Sequence, residues 1–188
     1  MGWKNTSERW GAVSIFMHWS VAIIVFALFA LGWWMTDLTY YDSWYQQAPF
    51  IHKSVGLLVF LLLLLRLLWR WQDPVPLAMV SQPRWELLAA RLVHFLLYVL
   101  LLVIVISGYL ISTADGRSIS VFGWLEVPAT LQQLPGQEDV AGAVHWYSAC
   151  SLMFLVLLHS MAALKHQFIN KDGTLSRMLR LTNKHNRE

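Results

Sequence analysis

A single cysteine, Cys150, stands in the whole chain, so no disulfide can form within it. Charge is scarce too. Asp, Glu, Lys and Arg make up 13% of the 188 residues, about half the share of an ordinary soluble domain. The pI is near 9.2, but the cations are spread over several short loops. They form no stripe that would follow a nucleic-acid backbone, and no nucleic-acid partner is expected. No short apolar core ends at a small-residue cleavage site, so the first apolar run is expected to stay as an anchor. Nothing in the chain suggests a nucleophile, a phosphate loop or a dedicated acid pair, and no catalytic residue is expected.

What is abundant is apolar surface. The hydrophobic fraction is 57% with eleven tryptophans, and the mean hydropathy is +0.48. Apolar stretches near 20 residues mark membrane spans, and indoles gather at membrane interfaces. Four spans are expected, at roughly 12–35, 50–71, 88–112 and 143–164, followed by a polar tail, 165–188. The reading is a single membrane domain, 1–188, all-α, built as a bundle of four transmembrane helices. Thr6 or Ser7 is a candidate cap for the first helix. Pro74, Pro76 and Pro83 forbid helix between spans two and three. In the long connection 113–142, Asp115-Gly116-Arg117 reads as a turn. Val121-Phe122-Gly123-Trp124-Leu125 reads as an apolar patch lying on the membrane surface.

Orientation follows from the cations, which gather on the cytoplasmic side of a membrane protein. Alternate spans put twelve of the fourteen Lys and Arg on one side, and only Lys53 and Arg117 on the other. Both termini are therefore expected in the cytoplasm, with the acidic, aromatic loops outside.

The seven histidines carry the functional signal. His145 and His159 are fourteen residues apart in span four. That is almost four helical turns, so both rings share one face, roughly 21 Å apart along the axis. His52 opens span two on the outer side, level with His145. His18 enters span one from the cytoplasm, level with His159. Each level thus has two imidazoles from different helices, the axial pair of a six-coordinate haem iron. Intramembrane imidazoles are costly and mostly functional. With no C-x-x-C-H motif, a haem would be held by coordination alone. A copper or iron centre without haem needs three or more ligands at one level, which these depths do not give. His94 also falls on the inner side; it can replace His18 or His159, or line the inner haem pocket or a quinone site. Gly56 shares a helix face with His52 and would let a flat ring approach the backbone. Arg66, fourteen residues after His52, either snorkels to the interface or offers a counter-charge to a haem propionate. His166, one or two turns beyond His159, is either a solvated interfacial residue or a partner for a quinone headgroup. His185 lies in the polar tail without an assigned role.

These residues resemble the bacterial cytochrome b561 family, four-helix di-haem proteins of the inner membrane related to the cytochrome b subunits of nickel-iron hydrogenases. The motifs are Phe16-Met17-His18-Trp19, Ile51-His52-Lys53-Ser54-Val55-Gly56, Arg66-Leu67-Leu68-Trp69-Arg70, His145-Trp146, Leu158-His159 and the tail from Lys165 to Leu179; the likeness covers about Arg9 to Leu181. It implies a multi-pass bacterial inner-membrane protein in lipid, with two b-type haems and ubiquinone as cofactors. The function implied is electron transfer between a quinone and a periplasmic donor or acceptor. His18 with His159 would hold the inner haem and His52 with His145 the outer one, and His166 would meet the quinone. At least one member of the family oxidises superoxide at the outer face and passes the electrons to ubiquinone. Lys53 and Arg117 would be the cations to attract that anion, although Asp37, Asp42, Asp115, Glu126, Glu138 and Asp139 crowd the same side. A membrane anchor relaying electrons for a soluble oxidoreductase is the third reading.

Overall fold

A computed structural model describes residues 2–77 and 82–179. His185 and the tail cations Arg180, Lys184 and Arg187 lie outside the described residues. Four long helices dominate: α1 (Ala12–Met35), α2 (Gln47–Gln72), α3 (Arg84–Ser112) and α4 (Gln137–Phe168), each long and apolar enough to cross a membrane. A short helix, α5 (Thr174–Leu179), follows. Three of the four helices overrun the expected spans. Polar ends such as Gln47 and Gln137-Glu138-Asp139 carry no apolar signal, yet they continue the hydrogen-bonded ladder beyond the hydrocarbon.

The helices are turned inside out relative to a soluble bundle. Few side chains are buried, among them Val21, Ala48, Val59, Leu63 and Leu152, while Phe16, Phe26, Leu61, Leu92, Phe95 and Phe154 face outward. Outward apolar belts of this kind are what lipid contact requires. α1 packs on α2, and α3 packs most extensively on α4.

One end of the bundle carries the connection 113–136, and sequence reading missed its content. Two strands, β1 (Ile119–Val121) and β2 (Leu125–Val127), pair antiparallel, with Ile119 opposite Val127 and Val121 opposite Leu125. The turn between them has Phe122 at φ 49° and Gly123 at φ 74°, closed by Trp124 N–H donating to the Val121 carbonyl at 3.0 Å. Two successive positive φ values make the turn that matches strand twist. A phenylalanine there costs roughly 1–2 kcal/mol; Phe122 is held because its N–H donates to the buried Ser54 hydroxyl of α2 at 3.2 Å, with its ring 6.1 Å from that of Phe50. The expected apolar patch is thus a hairpin pinned to α2, with only Trp124 and Leu125 of its apolar side chains well exposed.

The other end, here the terminal end, brings residues 2–11 and α5 together and is stitched by side chains. Buried Asn5 takes Asp73 Oδ2 on its N–H at 2.8 Å, donates its amide to the Pro74 carbonyl at 2.9 Å, and accepts from Gly11 N–H at 2.7 Å. Trp19 Nε1–H donates to the Met178 carbonyl at 3.1 Å, fixing α5 against α1. The expected cap of α1 is absent: its N-cap is Gly11 without a side-chain bond, and Thr6 Oγ1 instead accepts from Arg9 N–H at 3.1 Å in a local turn.

Candidate functional site

Two imidazole pairs lie inside the bundle. Near the hairpin end, His52 of α2 faces His145 of α4, with ring centroids 6.2 Å apart and planes at 66°. Near the terminal end, His18 of α1 faces His159 of α4, with centroids 6.3 Å apart and planes at 64°. A metal–imidazole bond of about 2.0–2.1 Å, with the half-width of each ring added, separates two centroids by roughly 6.3 Å when the rings bind opposite sides of one metal. Both pairs meet that separation. His94 of α3 lies 5.1 Å from His159, too close for those two to face each other across a metal. Among the described residues no three His, Cys, Asp or Glu side chains converge as a metal site. Two nitrogens and no third protein ligand suit a metal that already has its equatorial ligands, as haem iron does.

The hairpin-end pair is seated by glycines. A Cβ on Gly32 of α1 would come 3.0 Å from His52 Cε1, and one on Gly108 of α3 would come 3.1 Å from His145 Cε1 and 3.2 Å from its Nδ1. His145 Nδ1 lies 2.8 Å from the Ile104 carbonyl. A carbonyl only accepts, so Nδ1 carries the hydrogen and the Nε2 lone pair is bare, as a ligand needs. Ser107 Oγ lies 3.3 Å from the same nitrogen. His52 Nδ1 is buried without a hydrogen-bond partner among the described residues. A Cβ on Gly56 would meet no atom within 4 Å, so the backbone is open on the face it shares with His52. Neither Gly32 nor Gly108 was singled out beforehand as a histidine seat. Glycine late in an apolar helix was the only signal, and it does not say which ring it faces.

The terminal-end pair sits among charge. Arg66 does not snorkel away: its Nη2 lies 3.1 Å from His18 Nδ1, and its guanidinium stacks over the Tyr98 ring at 5.6 Å from the centroid. A guanidinium only donates, so His18 Nδ1 is the acceptor in this arrangement. His166 lies apart from the pair, near the end of α4. It is not a solvated side chain but 14% exposed, with Nδ1 2.6 Å from Asp172 Oδ2 and Nε2 3.5 Å from Glu86 Oε2. Burial pushes the Asp172 carboxyl up, but bonds from Thr174, His166 and Gln82 outweigh it and hold the group below its ordinary value.

Of the two cations at the hairpin end, Arg117 is engaged by Asp115, 2.5 Å from Nη2 to Oδ2. The hydrogen bond between them lowers the Asp115 carboxyl and raises the Arg117 guanidinium from their ordinary values. Lys53 is the remaining cation there.

The chain matches a protein-family model described as prokaryotic cytochrome b561 over residues 9–181. Cytochrome b561 homolog 2 of Escherichia coli K12 is 53% identical over 179 residues, which covers 95% of each chain. Cytochrome b561 homolog 1 of the same organism is 30% identical over 178 residues, covering 92% of this chain and 97% of the relative. A Yersinia pestis protein named probable superoxide oxidase CybB is 29% identical over 178 residues, covering 92% of this chain and 96% of its own.

Proposed function

The chain belongs to the prokaryotic cytochrome b561 family, and from that premise we propose that it moves electrons between a quinone at the cytoplasmic side and a redox partner at the periplasmic side. Its coarse character needs no proposal: it is a multi-pass protein of the bacterial inner membrane, serving electron transport with b-type haem. The proposal adds two haems per chain, the outer between His52 and His145 and the inner between His18 and His159. It sets both termini in the cytoplasm, because twelve of fourteen Lys and Arg fall on that side.

The observation that carries this reading is the equal separation of the two imidazole pairs, 6.2 and 6.3 Å, at levels roughly 21 Å apart along α4. Bound haem supplies reversible one-electron oxidation and reduction of its iron. The chain's residues do the rest. His145 is oriented by the Ile104 carbonyl. Gly56 leaves its backbone open to a flat ring. With haem bound, Arg66 would leave His18 Nδ1 free to carry its hydrogen and would offer its charge to a propionate. His94 lines the inner pocket. The apolar walls exclude water. His166 meets the quinone headgroup.

Superoxide oxidation is named for the Yersinia pestis relative. It is the weaker reading for this chain, because Arg117 is committed to Asp115, which among the described residues of that end leaves an anion Lys53 amid exposed carboxylates.

The test is the haem content of the purified protein with its reduced-minus-oxidised spectrum. About two b haems per chain are expected, and reoxidation by a quinone analogue should follow reduction. A colourless protein, or one haem with all four imidazoles intact, overturns the reading.

A further inference from the structure

Outside the two imidazole pairs, three titratable side chains from three segments meet at the terminal end. His166 of α4 lies between Glu86, in the first turn of α3, and Asp172, in the loop before α5; the three side chains are 14%, 11% and 2% exposed. Asp172 Oδ1 accepts from the Thr174 N–H at 2.9 Å and its hydroxyl at 2.7 Å, and Oδ2 accepts from the Gln82 amide at 3.3 Å. With three other donors around it Asp172 stays an acceptor, so His166 Nδ1 carries a hydrogen toward it at 2.6 Å, and the Asn170 amide nitrogen, 3.2 Å from the same Nδ1, donates nothing to it.

Glu86 is arranged differently. Its Oε1 takes the Lys165 ammonium at 2.6 Å, and Lys165 also lies over the Trp85 ring at 6.0 Å. Its Oε2 is buried and, among the described residues, accepts no hydrogen bond. That oxygen faces His166 Nε2 at 3.5 Å. A bare carboxylate oxygen and a bare imidazole nitrogen repel across such a gap, and burying an acceptor unpaired is costly. One proton between them removes both penalties. Among the described residues, the other charged groups bonded to the pair are Lys165 from α4 and Asp172 from the loop. Arg177 of α5 directs its Nη1 to the Leu77 carbonyl at 3.2 Å.

We propose that Glu86 and His166 hold one exchangeable proton between them and pass it to, or take it from, a quinone headgroup seated at this end of the bundle. The proposal rests on the quinone reading above. Reduction of one quinone to quinol takes two electrons and two protons. The electrons arrive singly from the His18–His159 level. For each of the two protons, the Glu86 Oε2–H bond breaks as a His166 Nε2–H bond forms, that N–H bond breaks as the quinone O–H bond forms, and the Glu86 carboxylate then recovers a proton from cytoplasmic water. Quinol oxidation runs the same transfers backward. Lys165, 43% exposed, holds Oε1 so that Oε2 stays aimed at His166. Asp172 fixes the opposite side of the ring.

The experiment uses the full-length, haem-loaded protein in lipid nanodiscs, chemically reduced and then mixed with decylubiquinone or with ferricyanide, which accepts an electron without a proton. Glu86→Gln should slow reoxidation by decylubiquinone roughly a hundredfold, the low end of what a positioned proton-transfer group contributes, and leave the ferricyanide rate unchanged. Arg117→Ala, which breaks only the pair with Asp115 at the other end of the bundle, should stay close to wild type with both acceptors. Infrared difference spectra give a readout without quinone: a protonated-carboxyl band present in wild type should vanish in Glu86→Gln. Equal slowing with both acceptors, no slowing with either, or an equal loss in Arg117→Ala overturns the proposal. If wild-type protein is not reoxidised by decylubiquinone at all, the quinone reading falls and this proposal with it, whereas a fast wild type with a fast Glu86→Gln sinks the proton pair alone.

Discussion

The two histidine levels of one bundle are built by different means. At the hairpin end each imidazole rests against the backbone of a neighbouring helix, made close by Gly32 for His52 and Gly108 for His145. At the terminal end the imidazoles rest against other polar groups: Arg66 on His18, and His94 beside His159. One level is fixed by shape, the other by charge. A ring wedged against backbone has one orientation and tolerates no added carbon. A ring held by a guanidinium can be released when that charge finds a better partner. The hairpin-end level is thus preorganised, while the terminal-end level is adjustable and shares its end of the bundle with the titratable groups around His166.

The largest expected effect comes from the ligands themselves. His52→Ala should remove the outer haem and leave the inner one, so haem content falls from about two to about one per chain. His18→Ala should do the reverse. The discriminating variant is His94→Ala. At 5.1 Å from His159, His94 is too near to be its axial partner, so both haems should remain, counted by pyridine haemochrome and optical spectrum. Loss of the inner haem in His94→Ala, with both retained in His18→Ala, would exchange the roles of these two residues.

Next comes the seating of the outer rings. Gly32→Ala and Gly108→Ala each place a methyl group at about 3.0–3.1 Å from a ring carbon, and overpacking of this kind costs about 1–3 kcal/mol. The outer haem should bind more weakly and titrate at a changed potential, while the inner haem keeps its own. A change in both haems would mean that the helices, not the rings, had absorbed the strain. Arg66→Leu probes the other level. Removing a cation beside His18 should lower the inner potential by roughly 60 mV per 1.4 kcal/mol of lost electrostatic stabilisation and leave the outer potential in place.

Much of this was legible in the chain. Four apolar runs near bilayer length can do little else in water or lipid, and a spacing of fourteen residues fixes two rings on one helical face whatever the neighbours are. What was hidden depends on partners far away in sequence. Phe122 is no turn former, and its positive φ is held by Ser54 of another helix. Gly108 could be seen as a glycine but not as the seat of His145. Arg66 could be placed at the right depth but not against His18. The burial of His166 could not be read, because one of its carboxylates lies on α3, eighty residues back. The helices overrun the expected spans for a simpler reason. Apolar content marks the hydrocarbon, whereas the hydrogen-bond ladder runs on into water.

The smallest expected effects separate the two ends once more, this time by their carboxylates. Asp172 is buried and bonded by four groups, and its carboxyl is held below the ordinary value. A depressed carboxylate contributes stability above its unfolded pKa of about 3.9 and loses it as pH falls through the lower folded value. Acidification below pH of about 4 should therefore loosen the docking of α5, read as faster amide exchange around residues 174–179. Asp172→Asn should produce the same loosening at neutral pH, and a cost of about 1–2 kcal/mol is expected for a buried acceptor bound by several donors. Asp115 is also depressed, by Arg117, but both side chains are in solvent, 47% and 86% exposed. Water screens the pair, and holding two side chains together offsets most of the attraction. Arg117→Ala should leave the melting temperature unchanged at both neutral and acidic pH. A drop equal to that of Asp172→Asn would mean that the loop before α4 is tied to the bundle through this pair rather than through Ser54, Tyr109 and Gln137, which reach it from the helices.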